Sequence, residues 1–251
     1  MKNLFLLVCV SLILNLYANE KITFESDPSP PYIIGKMGAV PVGISIDIVN
    51  EIFSRIEGVE GSYNPTKPWK RVLNNVEEGK TDAIFPILKN DERAKKYFYS
   101  DKIIPAETSI FFLKKKFPNG LKWETLKDLN NKKICVIAGY AVHSYLKKKK
   151  QEKNFQYRIV TAFGSAEKCL RLLKQGRIDI YAANKSTGFF QLNEFGLNTK
   201  LIDVANKPIY SKNYYIAFSK NTKAHKWIPK INDIIKLMKK DGSINKILYA
   251  K

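Results

Sequence analysis

Histidine and cysteine are scarce in this chain of 251 residues, with two of the first and three of the second. That scarcity excludes a metal centre built from clustered imidazoles and thiolates, and no Gly-x-Ser-x-Gly turn offers an activated serine in its place. The histidines, His143 and His225, stand in no motif with a partner carboxylate, so they supply no general acid–base pair. Neither a metal nor a cofactor is expected. Cys9 falls in the N-terminal apolar run. Cys135 and Cys169 are too few for a disulfide framework and read either as one bridge or as two buried thiols. Acidic residues are short as well, 23 against 43 Lys and Arg, which leaves a net charge of +20. A field of that sign draws anions. No nucleic-acid motif accompanies it, and the basic residues are spread along the chain. The densest run, Lys147 to Lys150, reads as the solvated end of a helix.

Long apolar runs are absent apart from Leu4 to Leu14. That run is too short to span a membrane, which takes about 20 residues. Lys2 precedes it and Leu16-Tyr17-Ala18 follows, the charged, apolar, small-residue order of a secretory signal peptide over residues 1–18. The expected product is periplasmic or otherwise extracytoplasmic, and soluble once the signal is removed.

What is present is a globular α/β pattern, 45% hydrophobic. A strand over Lys21 to Ser26 leads into Asp27-Pro28-Ser29-Pro30-Pro31-Tyr32, whose prolines exclude a sheet interior. Gly43 opens a helix over Ile44 to Ile56, with Ile48, Val49, Ile52, Phe53 and Ile56 at helical spacing. The most informative feature is an internal echo. A helix from Trp69 to Glu78 is closed by Gly79, and Asp82-Ala83-Ile84-Phe85 reads as a buried strand. A helix from Ala166 to Gln175 is closed by Gly176, and Asp179-Ile180-Tyr181-Ala182 is again a strand. Two such units imply two lobes with parallel sheets. Further strands are expected at Ile110 to Leu113, Ile134 to Ala138 and Tyr214 to Phe218. Helices are expected at Trp123 to Leu129, Tyr140 to Lys150 and Ile228 to Lys240.

Several patterns then align in order. They are Pro31-Tyr32, Gly43-Ile44-Ser45-Ile46-Asp47-Ile48-Val49, Gly79-Lys80-Thr81-Asp82-Ala83-Ile84, Asp91-Glu92-Arg93, Phe98-Tyr99-Ser100-Asp101, Leu126-Lys127-Asp128-Leu129, Lys133 to Gly139, Gly176-Arg177-Ile178-Asp179, and Met238 to Ile244. Their order and spacing resemble the extracellular solute-binding proteins of the polar amino-acid family, over nearly all of the mature chain. The resemblance implies the two-lobed α/β periplasmic-binding-protein type II fold, with two strand crossings and a ligand cleft between lobes. Lobe one would be residues 19–109 and 213–251, and lobe two 110–212. It implies a monomer that captures a small carboxylate-bearing solute, an amino acid or a related compound, and delivers it to the membrane permease of an ABC transporter. Two alternatives share the fold. One is a sensor that signals to a membrane receptor; the other is an enzyme like cyclohexadienyl dehydratase.

The resemblance also assigns a ligand site. Arg93 would grip the ligand carboxylate, since a guanidinium offers paired planar donors; its bland alternative is a solvated arginine in the first turn of a helix. Gly139 would add backbone N–H groups where strand becomes helix, although the hydroxyl residues usual after that glycine are replaced by Tyr140-Ala141. Asn184 stands where the family often has an Asp for the ligand ammonium, and asparagine cannot neutralise charge. Phe85-Pro86-Ile87-Leu88 likewise stands where ligand-contacting serines and threonines are usual. Asp27 is the lobe-one carboxylate that would replace the missing charge, with a loop cap as its bland alternative. Tyr32, Trp69 and Tyr140 would form aromatic walls. Asp47, Asp82 and Asp179 read as structural.

Overall fold

The computed structural model describes residues 19–163, 166–197 and 199–249, so the signal peptide expected over residues 1–18 lies outside the described residues. The elements are, in chain order, β1 (Glu20–Phe24), α1 (Ile44–Ser54), β2 (Val59–Tyr63), α2 (Trp69–Glu77), β3 (Ala83–Leu88), α3 (Asp91–Lys96), β4 (Tyr97–Tyr99) and β5 (Ile104–Leu113). After a 3-10 turn at Leu126–Leu129 come β6 (Lys133–Ile137), α4 (Ala141–Lys153), β7 (Arg158–Ala162), α5 (Glu167–Lys174), β8 (Ile180–Asn184), α6 (Lys185–Glu194), β9 (Ile202–Val204) and β10 (Tyr210–Ser219). A second 3-10 turn, Lys223–Trp227, leads into α7 (Ile228–Lys240) and α8 (Ser243–Tyr249). Among the described residues, no helix is long and apolar enough to cross a membrane.

The strands run in the order β2-β1-β3-β10-β5-β8-β6-β7. Two parallel sets stand at the ends, β2-β1-β3 and β8-β6-β7. The long antiparallel strands β5 and β10 join them. Tyr214–Phe218 of β10 pairs with β3, Tyr210–Tyr214 pairs with Ile104–Thr108 of β5, and Thr108–Phe111 of β5 pairs with β8. Each end buries its own apolar residues on both sheet faces. In lobe one, Ile22, Ile48, Ile52 and Ile231 form one cluster, and Val72, Val76 and Ile84 another. In lobe two, Ile134, Leu146 and Tyr157 form one cluster, and Cys169, Leu170 and Leu173 another. Cys135 and Cys169 are bonded to each other, tying β6 to α5.

The internal echo has a structural cause. Gly79 and Gly176 both adopt left-handed φ, 73° and 69°, which ends each helix at little cost. Three residues later each aspartate ties down the neighbouring parallel strand. Asp82 Oδ2 accepts from the Thr23 amide at 2.9 Å, and Asp179 Oδ2 from the Lys133 amide at 2.6 Å.

Several elements differ from the sequence reading. The strand expected at Ile110 to Leu113 begins at Ile104, because β10 supplies hydrogen-bond partners to a stretch whose Pro105 and Glu107 break the apolar pattern. The helix expected over Trp123 to Leu129 is a 3-10 turn held by the reciprocal Thr125–Asp128 cap. Helix α6, with the sequence KSTGFFQLNE, shows little propensity of its own. Its Asn184 cap and its packing on β5 hold it.

Candidate functional site

Arg93, Asp27, Trp69, Tyr140 and Asn184 come together around one cavity of about 70 Å³ between the lobes. Each is placed by the end of an element. Asn90 caps α3 by accepting from the Arg93 amide at 2.8 Å, which sets Arg93 in the first turn with its side chain directed inward. Asp27 follows β1, in the proline loop. Trp69 starts α2, Tyr140 directly precedes α4, and Asn184 ends β8 while capping α6 through a bond from the Thr187 amide at 3.1 Å. Placement at strand ends and helix starts is the common location of ligand sites in α/β sheets.

Arg93 is 6% exposed, so its guanidinium is buried. It donates to the Leu88 carbonyl of lobe one and to the Gly139 carbonyl of lobe two, both at 2.8 Å, and lies 5.2 Å from the Trp69 ring. Among the described residues it forms no ion pair with a carboxylate. Burial lowers its pKa, because the charged form has lost solvent. Asp27 mirrors this. It is 7% exposed and has no cation within ion-pair distance among the described residues; its partner is the Tyr140 hydroxyl, which donates to Oδ2. Burial pushes its carboxyl up to about 7, against smaller opposing effects of Tyr140, its own backbone amide and Arg93.

Gly139 enters the site through its carbonyl, not through the N–H groups expected of it. That carbonyl also accepts from Trp69 Nε1 at 3.0 Å, while the Gly139 amide faces His143 Nδ1 at 3.4 Å. Ala141 and Val142 of the first turn of α4 do line the cavity. Tyr32 stands outside the lining, with its ring 5.3 Å from that of Tyr214 and its hydroxyl directed to Ser186 and Asn184 across the cleft. Sequence reasoning missed Tyr181, Tyr210, Tyr214 and Thr108, all of which line the cavity. Tyr210 and Tyr214 carried a signal, since residues four apart in a strand share a face. The Tyr210 hydroxyl is buried beside Thr108, with no partner at ordinary hydrogen-bond geometry among the described residues.

The model of the bacterial extracellular solute-binding proteins, family 3, matches residues 22–250. The chain belongs to this family. A relative from Bacillus subtilis (strain 168), described as a probable amino-acid-binding protein, YxeM, is 25% identical over 198 residues, 76% of this chain and 71% of that protein. Among solved structures, an ancestral arginine-binding protein bound to arginine superposes with a TM-score of 0.74 at 22% identity, covering 91% of this chain and 96% of that one. A histidine kinase sensor domain superposes at 0.76 and 18% identity, covering 91% and 94%. AncCDT-1, an ancestral amino-acid-binding protein and precursor of cyclohexadienyl dehydratase, superposes at 0.71 and 20% identity, covering 90% and 93%. At these identities the structures show a shared fold, the two-lobed type II fold that the sequence implied.

Proposed function

We propose that this family 3 protein captures a small carboxylate-bearing solute, an amino acid or a close relative, between its lobes and performs no chemistry on it. The observation that carries this reading is Arg93, buried on a cavity wall without a carboxylate to pair with among the described residues. An isolated buried charge is expensive, and a ligand carboxylate met by its two-pronged donor set offsets the cost. In this reading the ligand takes the Gly139 carbonyl's place on Arg93, Trp69 and the tyrosines pack its body, and the lobes close over it as hinged bodies about β5 and β10. The lobe boundaries, 109/110 and 212/213, fall inside those two strands. The amino-acid-binding relative supports the ligand class. Delivery to an ABC-transporter permease is the role we assign to the closed form.

Arg93→Ala is expected to weaken binding of the cognate carboxylate by roughly 2–5 kcal/mol, read by titration calorimetry once a panel of amino acids and carboxylates has been screened by thermal shift. A ligand that binds only the folded state must raise the unfolding midpoint. Unchanged affinity in the variant would remove Arg93 from the site.

A further inference from the structure

The sheet of lobe two has two faces of unequal charge. Side chains alternate along its strands. Ile110, Ile134 and Ile180 pack on one face with α4 and the 3-10 turn at Leu126–Leu129, and Phe111, Cys135 and Tyr181 pack on the other with α5 and α6. The segments that cover the first face, residues 117–132, 141–157 and 205–212, hold ten lysines, no arginine and three acids. Helices α5 and α6 on the second face hold four basic and two acidic side chains. The three acids of the first face are already engaged. Glu124 pairs with Lys207 at 2.9 Å, Glu152 with Lys149 at 3.1 Å, and Asp128 Oδ2 accepts from the Thr125 amide at 2.8 Å. Lys122, Lys127, Lys132, Lys147, Lys150 and Lys153 form no ion pair among the described residues.

These lysines lie together. Lys147, Lys150 and Lys153 recur every three residues on α4, so each stands beside the next on its surface. The Gln156 amide donates to Asn130 Oδ1 at 2.8 Å, which brings the end of α4 against the segment that carries Lys127 and Lys132. The helix dipole favours cations in the last turn, which accounts for Lys150 and Lys153 but not for Lys147 or the lysines of the turn. Neighbouring like charges destabilise a helix, a cost that an anionic partner relieves. The face offers charge and little else. Of the exposed large apolar side chains, Met37, Phe98, Phe163, Phe190 and Leu201 among them, none lies in its segments. A protein docking site has apolar anchors and few lysines at its centre, and nucleic-acid recognition uses arginine forks and stacked aromatics. Lysines are point charges that need no fixed partner geometry, which suits a layer of anionic headgroups.

We propose that this face of lobe two rests on an anionic lipid bilayer, held by charge alone and with no segment inserted. A chain exported as its N-terminal sequence implies meets the outer leaflet of the membrane it has crossed. At 1.5 Å per residue, the three lysines of α4 stand roughly 9 to 18 Å along its axis from Ala141, which lines the cavity, so the contact is made away from the ligand site.

The test is co-sedimentation of the purified protein with phosphatidylcholine vesicles containing about 30 mol % phosphatidylglycerol, against vesicles of phosphatidylcholine alone. Binding to the anionic vesicles is expected at about 0.05 M salt, with affinity falling roughly tenfold or more by about 0.3 M, and no binding to the neutral ones. Each lysine near such a surface adds about fivefold in affinity, so Lys147→Gln, Lys150→Gln and Lys153→Gln combined should lower it on the order of 100-fold. The matched control removes three charges from the opposite face, Lys168→Gln, Arg171→Gln and Lys174→Gln, and should lower affinity by less than about threefold. Glutamine keeps helix propensity, and thermal midpoints check that both variants fold. Should the α4 variant not fold, Lys122→Gln with Lys127→Gln serves, with an expected loss of about 20-fold. Equal loss in the variants of the two faces would mean that net charge alone attracts the lipid and would overturn the assignment of this face, as would binding that survives the α4 substitutions. Equal binding to neutral vesicles, or binding to neither kind, would overturn the membrane contact itself. An equal charge concentration of polyglutamate should leave the protein on the vesicles; its displacement would point to an acidic protein partner and overturn lipid as the occupant.

Discussion

At the scale of the residue, the difference between two neighbouring acids organises the site. Glu25 has an ammonium and an amide donor, and its buried charge is offset within lobe one. Asp27 has a phenol, which stabilises a carboxylate far less than a cation does. The consequence can be read without any ligand. Its folded pKa, about 7, stands above the unfolded value of 3.8, so its contribution to stability is fully present below pH 3.8 and is lost as pH rises through 7. Asp27→Asn should therefore match the parent near pH 4 and exceed it at pH 8, by up to about 4 kcal/mol. Chemical denaturation of both proteins at the two pH values measures this. A constant difference between them would mean that the carboxyl is not held in a dry site.

At the scale of the element, helix α6 is held by contacts that its own sequence does not advertise. Asn184 caps it, Tyr181 on β8 donates its hydroxyl to Gln191 at 2.7 Å, and Gly188 lets its backbone lie against Phe111. A Cβ on Gly188 would fall 2.3 Å from the Phe111 ring, so the ring or the helix must move. Gly188→Ala is expected to cost about 1–3 kcal/mol by overpacking, despite the better helix propensity of alanine. Because Thr187 and Asn184 line the cavity on the same turn, ligand affinity should weaken with it. Denaturation midpoints and calorimetry check the two effects. A stabilised variant would show that propensity outweighs the clash. The Asp82 and Asp179 ties are the complementary case, in which one short side chain pins a neighbouring parallel strand in each lobe.

At the scale of the whole molecule, charge is unevenly shared. Residues 110–212 hold 21 basic and 7 acidic side chains, and the rest of the chain 22 and 16. With lobe two taken as residues 110–212, as the sequence implies, most of the positive field lies across the cleft from the lobe that holds Arg93 and Asp27. Such a field draws a carboxylate toward the open cleft over roughly a Debye length, about 10 Å at 0.1 M salt. For a ligand with net negative charge, stopped-flow association rates should fall several-fold between about 0.02 and 0.5 M salt, and for a neutral zwitterion they should change little. A salt-independent rate for the anionic ligand would mean that the charge does not act on capture.

How much of this was legible beforehand divides along physical lines. Helical spacing, helix-ending glycines and the repeated Gly-x-x-Asp are local regularities, so α1, α2, α5 and α7 and the strands after two of them stand in the sequence. The order of short motifs carries the family and fold, which the match over residues 22–250 bears out. The edge strands β2, β7 and β9 and helix α6 were not legible, because they depend on neighbours far along the chain more than on their own pattern. The same holds for the pairing of Cys135 with Cys169, which needs α5 laid across β6. It holds too for the tyrosines of β8 and β10, which line a cavity only where two lobes meet. The sequence by itself determined which residues carry charge and which segments fold. Only the tertiary structure decided that Arg93 and Asp27 are each buried without an ionic partner among the described residues, because burial and pairing are set by every chain segment that surrounds a group and by none alone.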